Sequence, residues 1–367
     1  MSIFYKTSLK GNTMQPRSTP LYLTLYEKLK NEIAAGLYPY SARLPSKRTL
    51  AQENGVSLVT VEHALELLSD EGYLEARERS GYYSVYTSGS VFDAPKASFP
   101  DAQTAKLSPE DAFPFSLMAK TMRRVLADYG ESILIKSPNE GLPELRNAIA
   151  RYLGRSRDIR VSPEQIWIGA GAEYIYSLLV TAIGSDRIFA IESPSYEKIE
   201  AVYGAAGVPL RLLPLRTNGI DSEALRKTDA KILHITPYRS YPTGATATAS
   251  KRTEYLNWAE NGRILIEDDA ESELRPGRKP GPTLFAQTNA ENVIYLNTFS
   301  RTVAPSIRMG YMLLPKKMLP LFRERVGFFS CTVPTFEQLV LATLLDSGNF
   351  ERQLNKRRRN KKKFLDK

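Results

Sequence analysis

Three groups of small, acidic, hydroxyl-bearing and cationic residues could support chemistry in the second half of the chain. They are Gly169-Ala170-Gly171-Ala172, Glu267-Asp268-Asp269, and Thr298-Phe299-Ser300-Arg301 followed by Arg308. Small residues at the start of a helix let backbone amides approach an anion such as phosphate. The carboxylates of the second group and the hydroxyls and cations of the third suit a charged, polar ligand.

The elements that must hold these groups alternate between β-rich and helical segments from Phe113 onward. Strand-like runs cover 165–168, 188–193, 209–215, 231–236, 263–268, 292–299 and 310–315, and helical patterns cover 116–129 and 142–153. This alternation predicts an α/β domain with a largely parallel, buried sheet. Ligands of such sheets bind beyond the carboxyl ends of the strands, so the three groups are expected to meet. Singly, they also fit a helix start, a solvated acidic loop and a basic surface loop.

A second candidate site is a pair of helices followed by a hairpin, between Leu44 and Tyr86. Ser46 and Ser57 can each cap a helix, and Asn54-Gly55 can end the first one. Apolar residues form one stripe on the second helix, namely Val61, Ala64, Leu65 and Leu68. Its first turn therefore remains available to another molecule. The pattern is typical of a winged helix-turn-helix that reads the DNA major groove, although a helical subdomain without nucleic acid also fits it.

The net charge of +10 does not by itself indicate DNA binding. Residues 351–367 hold nine lysines and arginines against two acids, whereas residues 1–87 hold ten against nine. The single cysteine, Cys331, excludes an intrachain disulfide and suits a reducing compartment. No secretory signal and no 18-residue apolar run is present, so we expect a cytoplasmic protein without a membrane segment. His63 and His234 lack ligand-spaced partners, and no metal site is expected.

Residues 44–81 resemble the GntR family of bacterial winged-helix regulators. The matching residues are Leu44-Pro45-Ser46, Arg48, Leu50-Ala51, Val56-Ser57, Thr60-Val61, Ala64, Glu71-Gly72 and Gly81. The resemblance implies that Arg48, Ser57 and Thr60 contact DNA, with Arg79 in the wing as a further contact. Many members of that family carry arginine at the position of Leu58, so one contact expected of the family is not provided here.

Residues 113–367 resemble the large domain of fold-type I pyridoxal-phosphate aminotransferases, and the pairing with a GntR head resembles the MocR-type regulators. The matching segments are GLPELRNAIARYL (141–153), GAGAEY (169–174), ESPSY (192–196), TP and YPTG (236–244), IEDD (266–269) and TFSRTVAPSIRMGY (298–311). The resemblance implies that Asp268 pairs with the pyridine nitrogen of the cofactor and that Tyr196 stacks on its ring. The residues matching the phosphate-binding groups are Gly171, Ala172, Thr298, Ser300 and Arg308.

The sequence departs from the aminotransferase pattern at several positions. Arg301 stands where the family has its Schiff-base lysine, and a guanidinium does not condense with an aldehyde as an amine does. Ala270 replaces the tyrosine that should bond the ring hydroxyl, and Tyr238-Arg239-Ser240 replaces SHQ. The chain stops at Lys367, in what resembles the helix leading to a small C-terminal domain. The cationic run 356–363 interrupts the apolar spacing of a docked helix and is expected to be a solvated face, with a secondary DNA anchor as the weaker interpretation.

The leading interpretation is a transcriptional regulator that binds double-stranded operator DNA as a homodimer. Its aminotransferase-like domain is expected to be catalytically inactive, to bind pyridoxal phosphate noncovalently at most, with Arg301 among the contacts, and to respond to an effector left unidentified. The alternatives are a pyridoxal-phosphate-dependent aminotransferase, a covalent cofactor sensor using another lysine, and a site that has lost its ligand. The expected organisation is a flexible N-terminus (1–19), a winged helix-turn-helix domain (20–87), a linker (88–112) and the aminotransferase-like domain (113–367).

Overall fold

The computed structural model of the chain describes residues 20–77, 80–86, 113–260, 262–269, 272–275, 281–287 and 291–365. These residues fall into two units, and the division between them lies between Thr104 and Ala105. The expected N-terminal segment (1–19) and linker (88–112) lie outside the described residues, as do Arg79 and Ala270.

The smaller unit contains three helices and a two-stranded hairpin within the described residues. They are α1 (Leu21–Ala34), α2 (Lys47–Asn54), α3 (Leu58–Asp70), β1 (Leu74–Arg77) and β2 (Gly81–Ser84). The strands pair antiparallel, with Leu74 opposite Ser84 and Arg77 opposite Gly81. The predicted helix pair and hairpin are therefore confirmed.

The helix ends of this unit follow from its serines and glycines. The Ser46 hydroxyl accepts from the Thr49 amide at the start of α2, and the Ser57 hydroxyl accepts from the Thr60 amide at the start of α3, each at 3.2 Å. Gly55 ends α2 at a φ of 62°, a left-handed conformation that glycine adopts without steric cost. The predicted apolar stripe of α3 is fully buried against α1, since Val61, Ala64, Leu65 and Leu68 are each 0% exposed.

Eight strands form the sheet of the larger unit within the described residues. They are β3 (Ile166–Gly169), β4 (Phe189–Ser193), β5 (Leu210–Arg216), β6 (Gly219–Ile220), β7 (Ile232–Ile235), β8 (Ile264–Asp268), β9 (Val293–Thr298) and β10 (Gly310–Leu313). Their order is β3-β10-β9-β8-β7-β4-β5-β6. The central strands from β5 to β9 pair in parallel, whereas β10 is antiparallel to both of its neighbours. The seven predicted strands are confirmed, and the short β6 was not predicted.

Ten helices of the larger unit pack on the two faces of this sheet within the described residues. They are α4 (Phe115–Tyr129), α5 (Pro143–Ser156), α6 (Ala172–Ile183), α7 (Glu197–Ala205), α8 (Ser222–Lys227), α9 (Ala249–Trp258), α10 (Leu284–Gln287), α11 (Leu319–Val326), α12 (Thr335–Asp346) and α13 (Asn349–Leu365). Side chains of α6, α7 and α11 form the core on one face, and those of α5, α9, α12 and α13 contribute to the core on the other. The predicted α/β architecture with a mostly parallel sheet is confirmed.

Strand alternation assigns each residue of the central strands to one of these two cores. On β8, Ile264 and Ile266 pack on the α6 and α7 side, whereas Leu265 packs on the α5 and α12 side. Successive side chains of a strand point to opposite faces, so Asp268 shares the face of Ile266. No helix in the described part of the chain combines the length and the apolar composition needed to cross a membrane.

Candidate ligand cleft and DNA-reading surface

A cleft of about 460 Å³ opens where β7, β8 and β9 end. It brings together most residues proposed from the sequence to bind a cofactor, namely Ala172, Tyr196, Asp268, Thr298, Ser300, Arg301 and Arg308. Gly171 lies behind the guanidinium of Arg308, because a Cβ built on Gly171 would come within 3.0 Å of Arg308 Nη2. The three groups of residues from distant parts of the sequence therefore meet at one edge of the sheet.

One end of the cleft is formed by the carboxylate of Asp268, the last residue of β8. Tyr176 on α6 donates its hydroxyl proton to Asp268 Oδ2, and His234 Nε2 lies 3.5 Å from the same oxygen. The other ring nitrogen of His234, Nδ1, is 2.8 Å from the hydroxyl of Tyr203. Burial, and next the charge of Asp268, raise the pKa of Tyr176 well above its usual value. Asp268 therefore accepts a hydrogen bond from the Tyr176 hydroxyl and can also accept a cationic N–H group from a ligand.

The opposite end of the cleft concentrates positive charge around one carboxylate. Arg308 Nη2 donates to Glu173 Oε2 at 2.5 Å, and Lys198 Nζ donates to Glu173 Oε1 at 2.8 Å. Glu173 lies in the first turn of α6, where its carboxylate also accepts from its own backbone amide. Burial acts to raise the pKa of Glu173, but the hydrogen bonds from Lys198, its amide and Arg308 outweigh burial and lower that pKa to about 2. An internal anion thus occupies this cationic end.

Some of the groups expected to bind phosphate already have partners within the chain. The Ala170 amide donates to Thr332 Oγ1 at 3.2 Å, and the Gly171 amide donates to the Gly169 carbonyl at 2.8 Å. The Ser300 hydroxyl donates to the Ile307 carbonyl at 3.0 Å, so it presents lone pairs rather than a proton. The amides of Ala170 and Gly171 in the 169–172 segment are therefore already used, and Arg308 and the start of α6 provide most of the attraction for an anion.

The side walls of the cleft are aromatic and cationic. The rings of Tyr196 and Tyr241 meet edge to face with centroids 6.3 Å apart. Arg301 is exposed on the cleft and follows Ser300 directly after β9. No lysine lines the cleft among the described residues. The cleft therefore offers an aromatic wall, a carboxylate at one end and guanidinium groups at the other.

The other two carboxylates of the Glu267-Asp268-Asp269 group lie on the opposite face of the sheet. Asp269 pairs with Arg157 in a fully buried ion pair and also accepts from Tyr295 at 2.8 Å. Glu267 accepts from the amides of Leu284 and Phe285, each at 2.9 Å, and burial raises its pKa to about 8. Only Asp268 of the three is thus available to a ligand in the cleft.

Several residues around the cleft were not found from the sequence. They are Tyr176, Glu173, Lys198 and Tyr241. The sequence indicates the helices or turns that contain them, but it does not indicate which residues they contact in the folded chain. His234 had a usable signal, because it lies on β7 at the same parity as Ile232, which packs on the α6 face. Among the described residues, no His, Cys, Asp or Glu side chains cluster in a way that could hold a metal ion.

The smaller unit presents the N-terminal turn of α3 on its surface. Ser57 and Arg48 are exposed, Thr60 is half-buried, and Leu58 and Val59 are 47% and 61% exposed. The hydroxyls of Ser57 and Thr60 lie 2.8 Å apart and stabilise the helix start. In helix-turn-helix proteins the first residues of the second helix contact base edges and phosphates. The geometry of this turn agrees with that use.

Two further cations of this unit were missed by the sequence analysis. Lys47 Nζ donates to Glu62 Oε1 at 2.9 Å, which ties α2 to α3. The backbone of Arg43 forms an isolated antiparallel β-bridge with Tyr83 of the hairpin. The side chain of Arg43 lies beside Gly81, where a built Cβ would come within 3.5 Å of Arg43 Nε. The predicted wing contact, Arg79, lies outside the described residues.

Comparison with known families matches both units. Residues 110–366 match the family of class I and II aminotransferases, and residues 21–83 match the bacterial regulatory proteins of the gntR family.

Relatives that match almost the whole chain are regulators by name. The HTH-type transcriptional regulator YdeL of Bacillus subtilis is 31% identical over 353 residues, which cover 93% of this chain and 76% of YdeL. The pyridoxine biosynthesis regulator PdxR of Corynebacterium glutamicum is 30% identical and covers 95% of this chain and 77% of its own. The probable rhizopine catabolism regulatory protein MocR of Rhizobium meliloti is 29% identical, covering 93% and 74%.

Solved structures resembling this chain are aminotransferases. The α-aminoadipate aminotransferase LysN of Thermus thermophilus is 28% identical with a TM-score of 0.60, covering 67% of this chain and 64% of its own. A multiple substrate aminotransferase of Thermococcus profundus is 25% identical with a TM-score of 0.61, covering 68% and 64%. This chain thus spans less than two thirds of the length of these enzymes.

Proposed function

Because this chain belongs to the MocR-type regulators, which join a gntR-family winged helix to a class I and II aminotransferase domain, we propose that it regulates transcription. In this proposal the winged helix binds operator DNA, and the cleft of the larger unit binds a phosphate-bearing ligand without catalysing transamination. The organisation into an N-terminal segment (1–19), a DNA-binding domain (20–87), a linker (88–112) and a ligand-binding domain (113–367) is part of the proposal, as is the cytoplasmic location.

The exposed first turn of α3 is the single observation that carries the DNA-binding half. One face of α3 is entirely buried, so the helix is rigid, while its N-terminal residues point away from the core. Ser57, Thr60 and the nearby Arg48 supply hydroxyl and guanidinium donors for phosphates and base edges. Leu58 can contact a thymine methyl group, in place of the arginine typical of the GntR family.

Pyridoxal phosphate fits the residues that line the cleft. His234 Nε2 is buried beside Asp268 without a hydrogen-bond partner among the described residues, which leaves an unsatisfied polar atom next to the carboxylate that would hold the ring nitrogen. Any side chain at Gly171 would fill the space next to Arg308. Asp268 would then hold the ring nitrogen and Tyr196 the ring, while the phosphate would meet Arg308, Ala172 and Thr298. The Ser300 hydroxyl would have to turn away from the Ile307 carbonyl to donate to the phosphate. Bound to a lysine, this cofactor supplies an electron sink for amino-acid chemistry.

The cationic group at residue 301 supports a sensing role rather than catalysis. Arg301 remains protonated and cannot act as the amine that binds the cofactor covalently or moves a proton during transamination. Its positive charge favours noncovalent retention of an anionic ligand. We propose that Arg301 contacts the bound ligand and that the domain is catalytically inactive.

A homodimer is supported by an apolar patch on the larger unit. Phe328 and Phe329 stack with ring centroids 4.5 Å apart, yet Phe328 is 71% exposed. Leu134 and Ile135 are 82% and 67% exposed, and the Ile135 carbonyl accepts from Thr335 Oγ1 at 2.7 Å, which brings this segment to the chain after Phe329. A second copy covering the patch would remove large apolar groups from water. Two winged helices would then read two half-sites.

The second candidate function is covalent cofactor sensing through another lysine. Lys198 favours it, because its ammonium reaches Glu173 on the cleft. The hydrogen bond that Lys198 donates to Glu173 raises the pKa of Lys198, however, which keeps the amine protonated and a poor nucleophile. This contact therefore disfavours the covalent alternative.

Two measurements test the proposed function. Purified protein should select a two-part motif from a random double-stranded DNA library, and Arg48→Met and Ser57→Ala should weaken binding to that motif. Pyridoxal phosphate should bind saturably, and borohydride followed by mass spectrometry should yield no lysine adduct. Selection of no motif would refute the DNA-binding half, and an adduct at Lys198 or another lysine would establish covalent sensing instead.

A further inference from the structure

The C-terminal helix α13 contacts the cleft loop through a buried arginine. Arg357 is only 6% exposed, and its guanidinium donates to two successive carbonyls. Nη1 lies 2.8 Å from the Thr302 oxygen, and Nη2 lies 3.2 Å from the Arg301 oxygen. Arginine carries donors in a fixed planar fork, so both bonds form only when the two carbonyls have one relative orientation.

Arg357 occupies a position of α13 where an apolar residue would be expected. Phe350 and Leu354 are buried at the preceding positions of the same helical stripe, and Arg357 follows at the next turn. Lys356 and Arg359, by contrast, are exposed. Burying a cation is costly unless it is hydrogen-bonded, so the carbonyls of the cleft loop explain the presence of arginine in this stripe. The buried guanidinium of Arg357 therefore depends on the loop carbonyls for its hydrogen bonds, which ties α13 to the loop.

The loop that Arg357 contacts carries the cationic end of the cleft. It begins after Thr298, the last residue of β9, and includes Ser300, Arg301 and Arg308. Hydrogen bonds also join residues within the loop, such as the bond from the Val303 amide to the Phe299 carbonyl at 2.8 Å. The same helix reaches the segment after β8, because Arg358 Nε donates to the Glu273 carbonyl at 2.5 Å. One helix therefore holds the segments that follow both ligand-bearing strands.

We propose that Arg357 is a positioning residue that fixes the Arg301–Thr302 backbone and thereby sets the affinity of the cleft for anionic ligands. Arg357 does not itself line the cleft, and it acts through the loop. Through this contact, α13 is mechanically coupled to the ligand site. The proposal rests on the proposed ligand-binding function for its affinity readout, but its effect on the loop is independent of that function.

The test uses the full chain with Arg357→Met, Arg357→Lys and the exposed control Arg359→Met. Hydrogen exchange read by mass spectrometry reports on the segment 299–303, and calorimetric titration reports the Kd for pyridoxamine 5′-phosphate. Arg357→Met loses two charge-assisted hydrogen bonds. We expect the exchange rate in that segment to rise about tenfold and the Kd to rise about tenfold as well. Arg357→Lys should recover part of both, because an ammonium can keep one bond, and Arg359→Met should match the parent protein.

Two results would overturn the proposal. The first is exchange and affinity in Arg357→Met indistinguishable from those of Arg359→Met. The second is a uniform loss of protection across the larger unit without an excess in 299–303, which would indicate a purely structural role. If the parent protein does not bind the probe, the ligand-binding function fails, and the exchange measurement alone decides the positioning of the loop.

Discussion

Replacing Glu173 by glutamine is expected to tighten the binding of phosphate-bearing ligands to the cleft. The Glu173 carboxylate already pairs with Arg308 and Lys198, and these contacts lower its pKa, so that it is charged at neutral pH. A phosphate that approaches Arg308 must displace this carboxylate or share the guanidinium with it. Glutamine removes the negative charge and keeps the shape.

The size of the effect follows from the exposure of the pair. The side chain of Arg308 is 53% exposed and that of Glu173 is 25% exposed, so solvent screens their attraction. Ion pairs of this kind contribute at most about 1 kcal/mol, which corresponds to about fivefold in Kd. Removing the repulsion between the carboxylate and a phosphate adds an effect in the same direction. We therefore expect the Kd to fall between about threefold and about tenfold in Glu173→Gln.

Calorimetric titration with pyridoxamine 5′-phosphate is the suitable assay, because this probe has no aldehyde and binds only noncovalently. Glu197→Gln is the matched control, since Glu197 lines the same cleft and the substitution changes the net charge equally. The control should change the Kd by less than Glu173→Gln does. The reasoning is refuted if Glu173→Gln weakens binding, or if both substitutions tighten it equally, which would indicate a nonspecific effect of charge.

Three further predictions concern the DNA surface and the buried charges. Arg48→Met should weaken binding to the selected operator and reduce the slope of log K against log salt by about one, measured by fluorescence anisotropy. Burial raises the pKa of Glu192 to about 7 from 4.5, so the folded protein keeps a proton that the unfolded chain releases, and stability falls as pH rises through this window. In urea unfolding, the free energy of unfolding of Glu192→Gln minus that of the parent protein should therefore be more positive at pH 8 than at pH 5. Asp269→Asn leaves Arg157 buried without its anion and should lower the free energy of unfolding by about 3–5 kcal/mol, whereas the exposed Asp229→Asn should leave the urea midpoint unchanged.

The sequence was sufficient for the parts of the fold that depend on local patterns. Runs such as 264–266 are apolar because the strand is buried on both faces, and that property identifies a parallel sheet without knowledge of its neighbours. The caps at Ser46 and Ser57 act within three residues, so they too could be recognised locally. The meeting of strand ends in one cleft then followed from the general topology of such sheets.

The partners of the charged residues could not be derived in this way. Arg308 pairs with Glu173 across 135 residues, and Tyr176 donates to Asp268 across 92 residues. The sequence identified the chemistry of Arg308 and Asp268 but not what already satisfies them. Strand parity alone could have separated Asp268 from Asp269, since adjacent residues face opposite sides of the sheet.

In the cationic run 356–363, residue composition alone does not predict which side chain is buried, because the partners of the buried arginine are backbone carbonyls. We expected a solvated face, because charges interrupt the apolar stripe of a docked helix. Lys356 and Arg359 are exposed as expected, but Arg357 is buried against the carbonyls of Arg301 and Thr302. Backbone oxygens have no signature in the sequence, so an inward arginine that binds them cannot be told from an outward one.

Arg301 departs from the aminotransferase pattern, whereas Gly171 and Asp268 match it. This difference favours a cleft that still binds a ligand over a cleft that has lost its ligand. A cleft without a ligand would have no use for the side-chain-free position at Gly171, held at a φ of 91° beside Arg308. It would equally have no use for a buried carboxylate at Asp268 with His234 directed at it, since burying such groups costs stability. In the proposed function both features would serve the noncovalent contacts of a phosphate-bearing, nitrogen-containing ring, and Arg301 would stand in place of the amine that binds such a ring covalently. If the proposed function holds, Arg301 would separate binding from catalysis within one cleft, as a regulator that senses its ligand reversibly requires.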